Sequence, residues 1–327
     1  MNSKTMKVII SAVFILFISG VLFGAVYEFT TANDQVKDIM LITKNGESNF
    51  WKTVFKGAQA AANEYNINLH IRYPDSEDDY NTQNQMIQSA IDNKYDAIVF
   101  SACDFDHSVE IAEKAISSGI PITIIDSPIN SKKKMTMIGT DNVLAGQESG
   151  EAMAKLMNYK GKIGIVNFEK GSANGMQREQ GFCEAIANYP DLEVVDIRYS
   201  LSNIEDSVAS TKDILKQHPD ITGIIALNEW VTLGMARALQ QLDLHNGGIA
   251  VIGFDNNIES VEMLENGIID GLIVQNAFAM GYLGVEEAIR YNKNVQGERF
   301  IDTGTTFITV ENMYNIENQK LLFPFTD

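Results

Sequence analysis

From Lys37 onward, short apolar runs alternate with stretches whose apolar positions recur every three or four residues. The first pattern reads as buried strand and the second as amphipathic helix. IMLIT (39–43) precedes a stretch in which Trp51, Val54, Phe55, Ala58 and Ala62 share a helical face. INLHIRY (67–73) leads to a helix through Met86, Ile87 and Ile91, and YDAIVFSA (95–102) to one over about 109–115. IPITIID then ends at Asp126. Strand and helix in this order predict a parallel sheet covered on both faces.

PINSKKKM reads as a loop and MTMIGT as a short strand, after which the rhythm restarts. A helix at about 143–158 leads to KIGIVNF (162–168), a helix carrying Arg178 and LEVVDIRY (192–199). Another helix, ITGIIALN, a helix at 229–242, IAVIGFD and IDGLIVQ follow. A helix at about 277–292 and the strand-like RFID and TTFITV complete the series. Two α/β halves of roughly 130 residues are implied, the usual size of a domain. No long Gly/Ser/Pro linker separates them, so the crossings are short and multiple, as a hinge needs.

Four of these strands end in residues able to hydrogen-bond a small ligand: Asp126, Asn228, Asp255 and Gln275. In open α/β sheets the crevice lies beyond the carboxyl ends of the strands. The same position suits the N-cap of the next helix. Four at corresponding places predict a lined cleft.

The chain has 327 residues, 45% hydrophobic and 21% charged. That length exceeds a single core and fits two domains. A net charge of −18 repels phosphate backbones, so nucleic acid is not an expected partner. Lys132–Lys134 is too short a basic run to change this. The acidic stretch Asp75–Asp79 lacks the glycine and closing glutamate of a calcium loop and reads as a solvated turn. Cys103 and Cys183 read as free, mostly buried thiols, and neither they nor the four histidines show metal-ligand spacing. No metal or cofactor is expected. Asp126 and Asp255 could form an acid/base pair, but nothing beside them supplies a nucleophile or an oxyanion site, so a non-enzyme is expected.

The run Val8 to Tyr27 is uncharged and long enough to cross hydrocarbon as a helix. Lys4 and Lys7 precede it, and Glu28, Asp34 and Asp38 follow, which favours a cytoplasmic N-terminus and an exported body. Thr30-Thr31-Ala32 loosely fits a cleavage site. The expectation is an uncleaved single-pass anchor in the cell membrane, with residues 1–35 as cytoplasmic stub, anchor and linker.

SNFWKTVFKGAQAAANE (48–64), IPITIIDS, IGTDNVLAG (138–146), REQGF (178–182), ALNEWVTLGMARALQ (226–240) and VIGFDN (251–256) occur in a distinctive order. In these segments the chain, from about Val36 to its end, resembles the type I periplasmic binding proteins of the ribose and xylose branch. The resemblance implies two Rossmann-like domains joined by three crossings and closing on a sugar. One would comprise residues 36–140 and 276–304, the other 141–275 and 305–327. It offers Phe50 and Trp51 as an aromatic pair and Asp126, Arg178, Asn228, Asp255 and Gln275 as polar contacts. The chemistry suits a sugar, whose C–H face stacks on rings and whose hydroxyls both donate and accept. Ser127 stands where ribose and xylose binders typically present arginine. Near Ser202, where the family often places a further aromatic, only Tyr199 is close in sequence, and Trp230 is the candidate to supply the missing ring. A pentose is favoured, with a hexose or a furanosyl signal open. An anchor would raise the effective concentration of a membrane partner, so a sensing subunit beside a histidine kinase is expected over the alternative, the binding component of an ABC permease.

Overall fold

The structure, a computed structural model, describes residues 38–244, 248–291 and 299–324. The first sheet and its helices are β1 (Asp38–Ile42), α1 (Asn49–Tyr65), β2 (Asn68–Arg72), α2 (Tyr80–Asp92), β3 (Ala97–Phe100), α3 (Val109–Ser117), β4 (Ile122–Ile125) and β5 (Thr136–Gly139). There follow α4 (Asn142–Leu156), β6 (Gly161–Asn167), α5 (Ala173–Ile186), β7 (Leu192–Tyr199), α6 (Ile204–Gln217) and β8 (Gly223–Ala226). The chain continues through α7 (Glu229–Gln241), β9 (Ala250–Phe254), α8 (Ile258–Glu265), β10 (Gly271–Gln275) and α9 (Ala277–Tyr291). It closes with β11 (Arg299–Asp302), β12 (Thr305–Ile308) and α10 (Ile316–Leu322).

Two six-stranded sheets result, ordered β11-β5-β4-β3-β1-β2 and β12-β10-β9-β8-β6-β7. The orders correspond strand for strand, and all pairings are parallel except β10 with β12. The sheet order reverses at β1/β3 and at β6/β8, and a doubly wound sheet opens a ligand crevice at such a switch point. Each sheet has its own apolar core, one around Ile98, Phe100 and Ile122, the other around Ile165, Ile225 and Ile252. The chain passes between sheets three times, after β5, after β10 and between β11 and β12. We take the lobe boundaries at 140/141, 275/276 and 304/305, a reading that sheet membership supports.

Each lobe sets one helix pair unusually close. A Cβ on Gly146 or Gly181 would sit 2.3 and 2.0 Å from the backbone of the facing helix, so α4 and α5 come backbone to backbone at their glycines. This seats α5 deeply enough for Arg178 to reach the sheet's carboxyl edge. Gly57 and Gly281 do the same for α1 and α9. The run Val8 to Tyr27 and the expected stub lie outside the described residues. Among the described residues no helix is long and apolar enough to cross a membrane.

Candidate functional site

The strand-end residues separate into two kinds. Asn228 is the N-cap of α7, its side-chain oxygen accepting from the Val231 amide at 2.9 Å. The other three cap nothing. Asp126 and Asp255 leave their strands with φ of 56° and 68°, in the left-handed region that aspartate tolerates better than most residues. Both amides bond the neighbouring strand, to the Ile138 and Ile273 carbonyls at 2.9 and 2.8 Å. The backbone therefore turns at the same point in each lobe, and both carboxylates enter the gap between the sheets.

Phe50, Trp51, Asp126, Arg178, Asn228, Trp230, Asp255 and Gln275 line one cavity together with Lys44, Ser48, Glu77, Phe168, Asn174 and Glu229. Its volume is ≈ 30 Å³, far below the roughly 300–1,000 Å³ of common ligand pockets. The lobes are shut on each other by direct hydrogen bonds. Asn174 Nδ2 of the second lobe donates to Asp126 Oδ1 at 2.7 Å, and Ser202 Oγ to Glu77 Oε2 at 2.6 Å. The Asn49 and Phe50 amides of the first lobe donate to Glu229, each at 2.9 Å. Phe50 and Trp51 meet edge to face with centroids 5.0 Å apart.

The buried charges are arranged in opposition. Lys44 Nζ lies 3.2 Å from Asp126 Oδ2, both side chains almost fully buried. Burial alone would lower the Lys44 pKa, but Asp126, then Glu77, outweigh it and the value is raised. Arg178 donates from Nε to Asn142 at 2.8 Å and from Nη1 to the Leu227 carbonyl at 2.7 Å, with its guanidinium 4.6 Å from the Phe254 ring centroid. It keeps further N–H donors for a ligand. Burial lowers its pKa, against the pull of Asp255, Asp126 and Glu77. Asp255 accepts from Gln275 Nε2 at 2.8 Å, while Gln275 Oε1 accepts from Thr140 at the first lobe crossing at 2.9 Å. Burial pushes Asp255 up to about 6, with Arg178 the main opposing influence. At the rim, burial and then the facing Asp78 and Glu77 push Glu169 up to about 7.

A family profile described as the periplasmic binding protein domain matches residues 39–297. The chain belongs to the periplasmic binding protein family. It is 29% identical over 269 residues to the D-apiose import binding protein of Actinobacillus succinogenes, covering 82% of this chain and 83% of that one. A solved ABC transporter solute-binding protein from Agrobacterium vitis with bound D-fucose superposes with a TM-score of 0.83 at 31% identity, over 87% of this chain and 99% of its own. A carbohydrate transporter solute-binding protein from Agrobacterium radiobacter in complex with D-arabinose does so with a TM-score of 0.84 at 28% identity, covering 88% and 98%. These relatives set the chain among the type I, sugar-binding members, and none of the three is described as an enzyme.

Membership of a periplasmic binding protein family corrects one expectation. A single-pass protein of the cell membrane does not fit a family of periplasmic binding proteins, and no described helix could span a bilayer. The inference leaned on hydrophobic length in a segment outside the described residues.

One further reading changes. Asp75–Asp79 is not wholly a solvated turn, because Glu77 is 8% exposed and accepts from Ser202 and, at 3.5 Å, from Trp51 Nε1. Tyr199 does not reach the cavity; its hydroxyl donates to Glu179 at 2.9 Å. Among the residues missed, Lys44 sits two positions beyond the end of β1 and was accessible to the strand-end rule. Asn174 lies four residues before Arg178 and so shares its helical face. Nothing local marks Glu77 or Glu229, each of which accepts a hydrogen bond from the other lobe.

Proposed function

We propose that this chain is the substrate-binding component of a sugar ABC transporter, closing its two lobes on a neutral monosaccharide of about pentose size. One observation carries the reading. The strand-end carboxylates of both lobes, an arginine, three amides and a set of aromatic rings converge on one small interlobe cavity beside the chain crossings. Fixed acceptors and donors of this kind can saturate the hydroxyls of a sugar, each of which donates and accepts. Phe50, Trp51, Phe168 and Trp230 provide apolar faces for its C–H groups. Phe50, Trp51, Asp126, Arg178, Asn228, Trp230, Asp255 and Gln275 are assigned as ligand contacts, and Lys44 and Asn174 join them.

Relatives that work in import support a permease as the membrane partner. The competing role, a sensing subunit beside a histidine kinase, rested on a spanning helix and loses its argument with the corrected localisation. Titration calorimetry of residues 38–327 against D-ribose, D-apiose, D-arabinose, D-xylose, D-allose and D-fucose tests the assignment. Binding is expected for at least one pentose, more tightly than for D-allose. Absence of heat with every sugar would refute the ligand class. Recovery of a histidine kinase instead of a permease on affinity capture would refute the transport role.

A further inference from the structure

Glu229 begins α7 in the second lobe, directly after Asn228, and is 3% exposed. Its carboxylate is turned toward the first lobe. Oε1 accepts from the Asn49 amide and Oε2 from the Phe50 amide, each at 2.9 Å. These are the first two residues of α1, whose amides have no partner within their own helix. Ser48, the N-cap of α1, takes the third amide, that of Trp51, with its own oxygen at 3.2 Å. The N-terminus of the first lobe's helix is thus completed by a side chain from the second.

Glu229 has one further protein donor. Asn257 Nδ2 also donates to Oε1, at 3.1 Å. A carboxylate has about four lone-pair sites, and three protein donors occupy three of them. Glu229 therefore lines the cavity with most of its acceptor capacity committed to the protein. When the lobes part, the Asn49 and Phe50 amides lose their acceptor, and the helix end bearing the aromatic pair loses the negative charge that suits its dipole.

We propose that Glu229 is a positioning residue for closure, a second-lobe carboxylate that caps α1 and sets Phe50 and Trp51 in their binding orientation only when the lobes meet. This rests on the cleft being the ligand site, yet the capping contact can be measured without ligand. Glutamine at this position keeps the shape, loses the charge and places an N–H₂ group against one of the two amide donors.

The test is Glu229→Gln in residues 38–327, read by small-angle scattering and tryptophan fluorescence without ligand, and by stopped-flow binding of the tightest pentose. Trp51 and Trp230 are the only tryptophans, and Trp230→Phe isolates the reporter on α1. The variant is expected to be more open without ligand, with a shifted Trp51 emission. It should bind roughly tenfold more weakly through faster dissociation, as for loss of one charge-assisted hydrogen bond. Asn257→Ala, which keeps the carboxylate on α1 but removes one supporting donor, should shift the same readouts less. Asp255→Asn should weaken binding about a hundredfold while its ligand-free scattering stays as in the parent. An unchanged ligand-free scattering curve and Trp51 emission in folded Glu229→Gln would overturn the proposal. Should no sugar bind the parent protein, the ligand assignment fails, and the scattering and fluorescence arms still decide the role of Glu229.

Discussion

Asp126 and Asp255 are the same residue in two lobes and are treated oppositely. Each ends a central parallel strand, takes a left-handed turn and bonds the neighbouring strand through its amide. Asp126 is then enclosed by donors, with Lys44 at 3.2 Å, Ser101 at 2.9 Å and Asn174 at 2.7 Å. Asp255 has Gln275 as its close donor, with Arg178 acting on it as a neighbouring charge, and burial pushes its pKa to about 6. An aspartate with most of its acceptors committed to the protein is structural as much as functional. One held under-satisfied at a cleft is poised to accept a hydroxyl, since a buried acceptor without its full complement gains most from a new donor. The backbone is shared, and the difference lies in the side chains around it.

The sharpest way to break this comparison is Asp126→Ala. Lys44 would be left buried without its counter-charge, which costs about 3–5 kcal/mol. Denaturant unfolding should show this loss, and ligand binding should go with it. Asp255→Asn should do the reverse to stability. Because its folded pKa lies above the ordinary 3.8, the stabilising protonated form persists below that value and is lost as pH rises through about 6. At pH 7 the ionised group therefore costs the fold on the order of 2–3 kcal/mol, which asparagine avoids. Thermal unfolding at pH 7 should show equal or greater stability, while calorimetry shows affinity falling by about a hundredfold, the size of one charged hydrogen bond. Lower stability for Asp255→Asn than for the parent would make the two aspartates alike after all.

The pH profile of binding sharpens the contrast. A ligand hydroxyl donating to Asp255 competes with its proton, so affinity should fall about tenfold between pH 7 and pH 5. Glu169, pushed up to about 7 at the rim, titrates in the same window. Calorimetry on Asp255→Asn separates them, since its profile should lose the Asp255 component. The smallest effect is expected from Asn174→Ala. It removes one donor from an Asp126 that has others, and it removes a buried Oδ1 that has no partner among the described residues. Affinity should drop by roughly threefold to tenfold with stability within about 1 kcal/mol of the parent.

The strand-end aspartates and Gln275 were legible because a buried strand announces itself in sequence and a polar residue at its end has few other uses. Asn228 carried both meanings at once, as a helix cap through Oδ1 and as a cavity residue whose Nδ2 donates to Ser202 at 3.0 Å. Arg178 was reachable only through family resemblance. A lone arginine in a helix reads as surface, and only the glycine contact between α4 and α5 shows that it is buried. Glu77 was misread because an acidic run looks solvated unless the opposite lobe is in view.

The sequence by itself determined the alternation of strands and helices, the repetition of that alternation in two halves, and the polar residues at the strand ends. These follow from local periodicity and from where an open parallel sheet leaves its crevice. Only the tertiary structure decided which aspartate is the more fully hydrogen-bonded, that Glu77 and Lys44 belong to the cleft, and that Glu229 completes a helix of the other lobe. Those outcomes depend on pairs up to 180 residues apart brought within hydrogen-bond distance by lobe closure, and hydrogen bonds of that range leave no periodic trace in the chain.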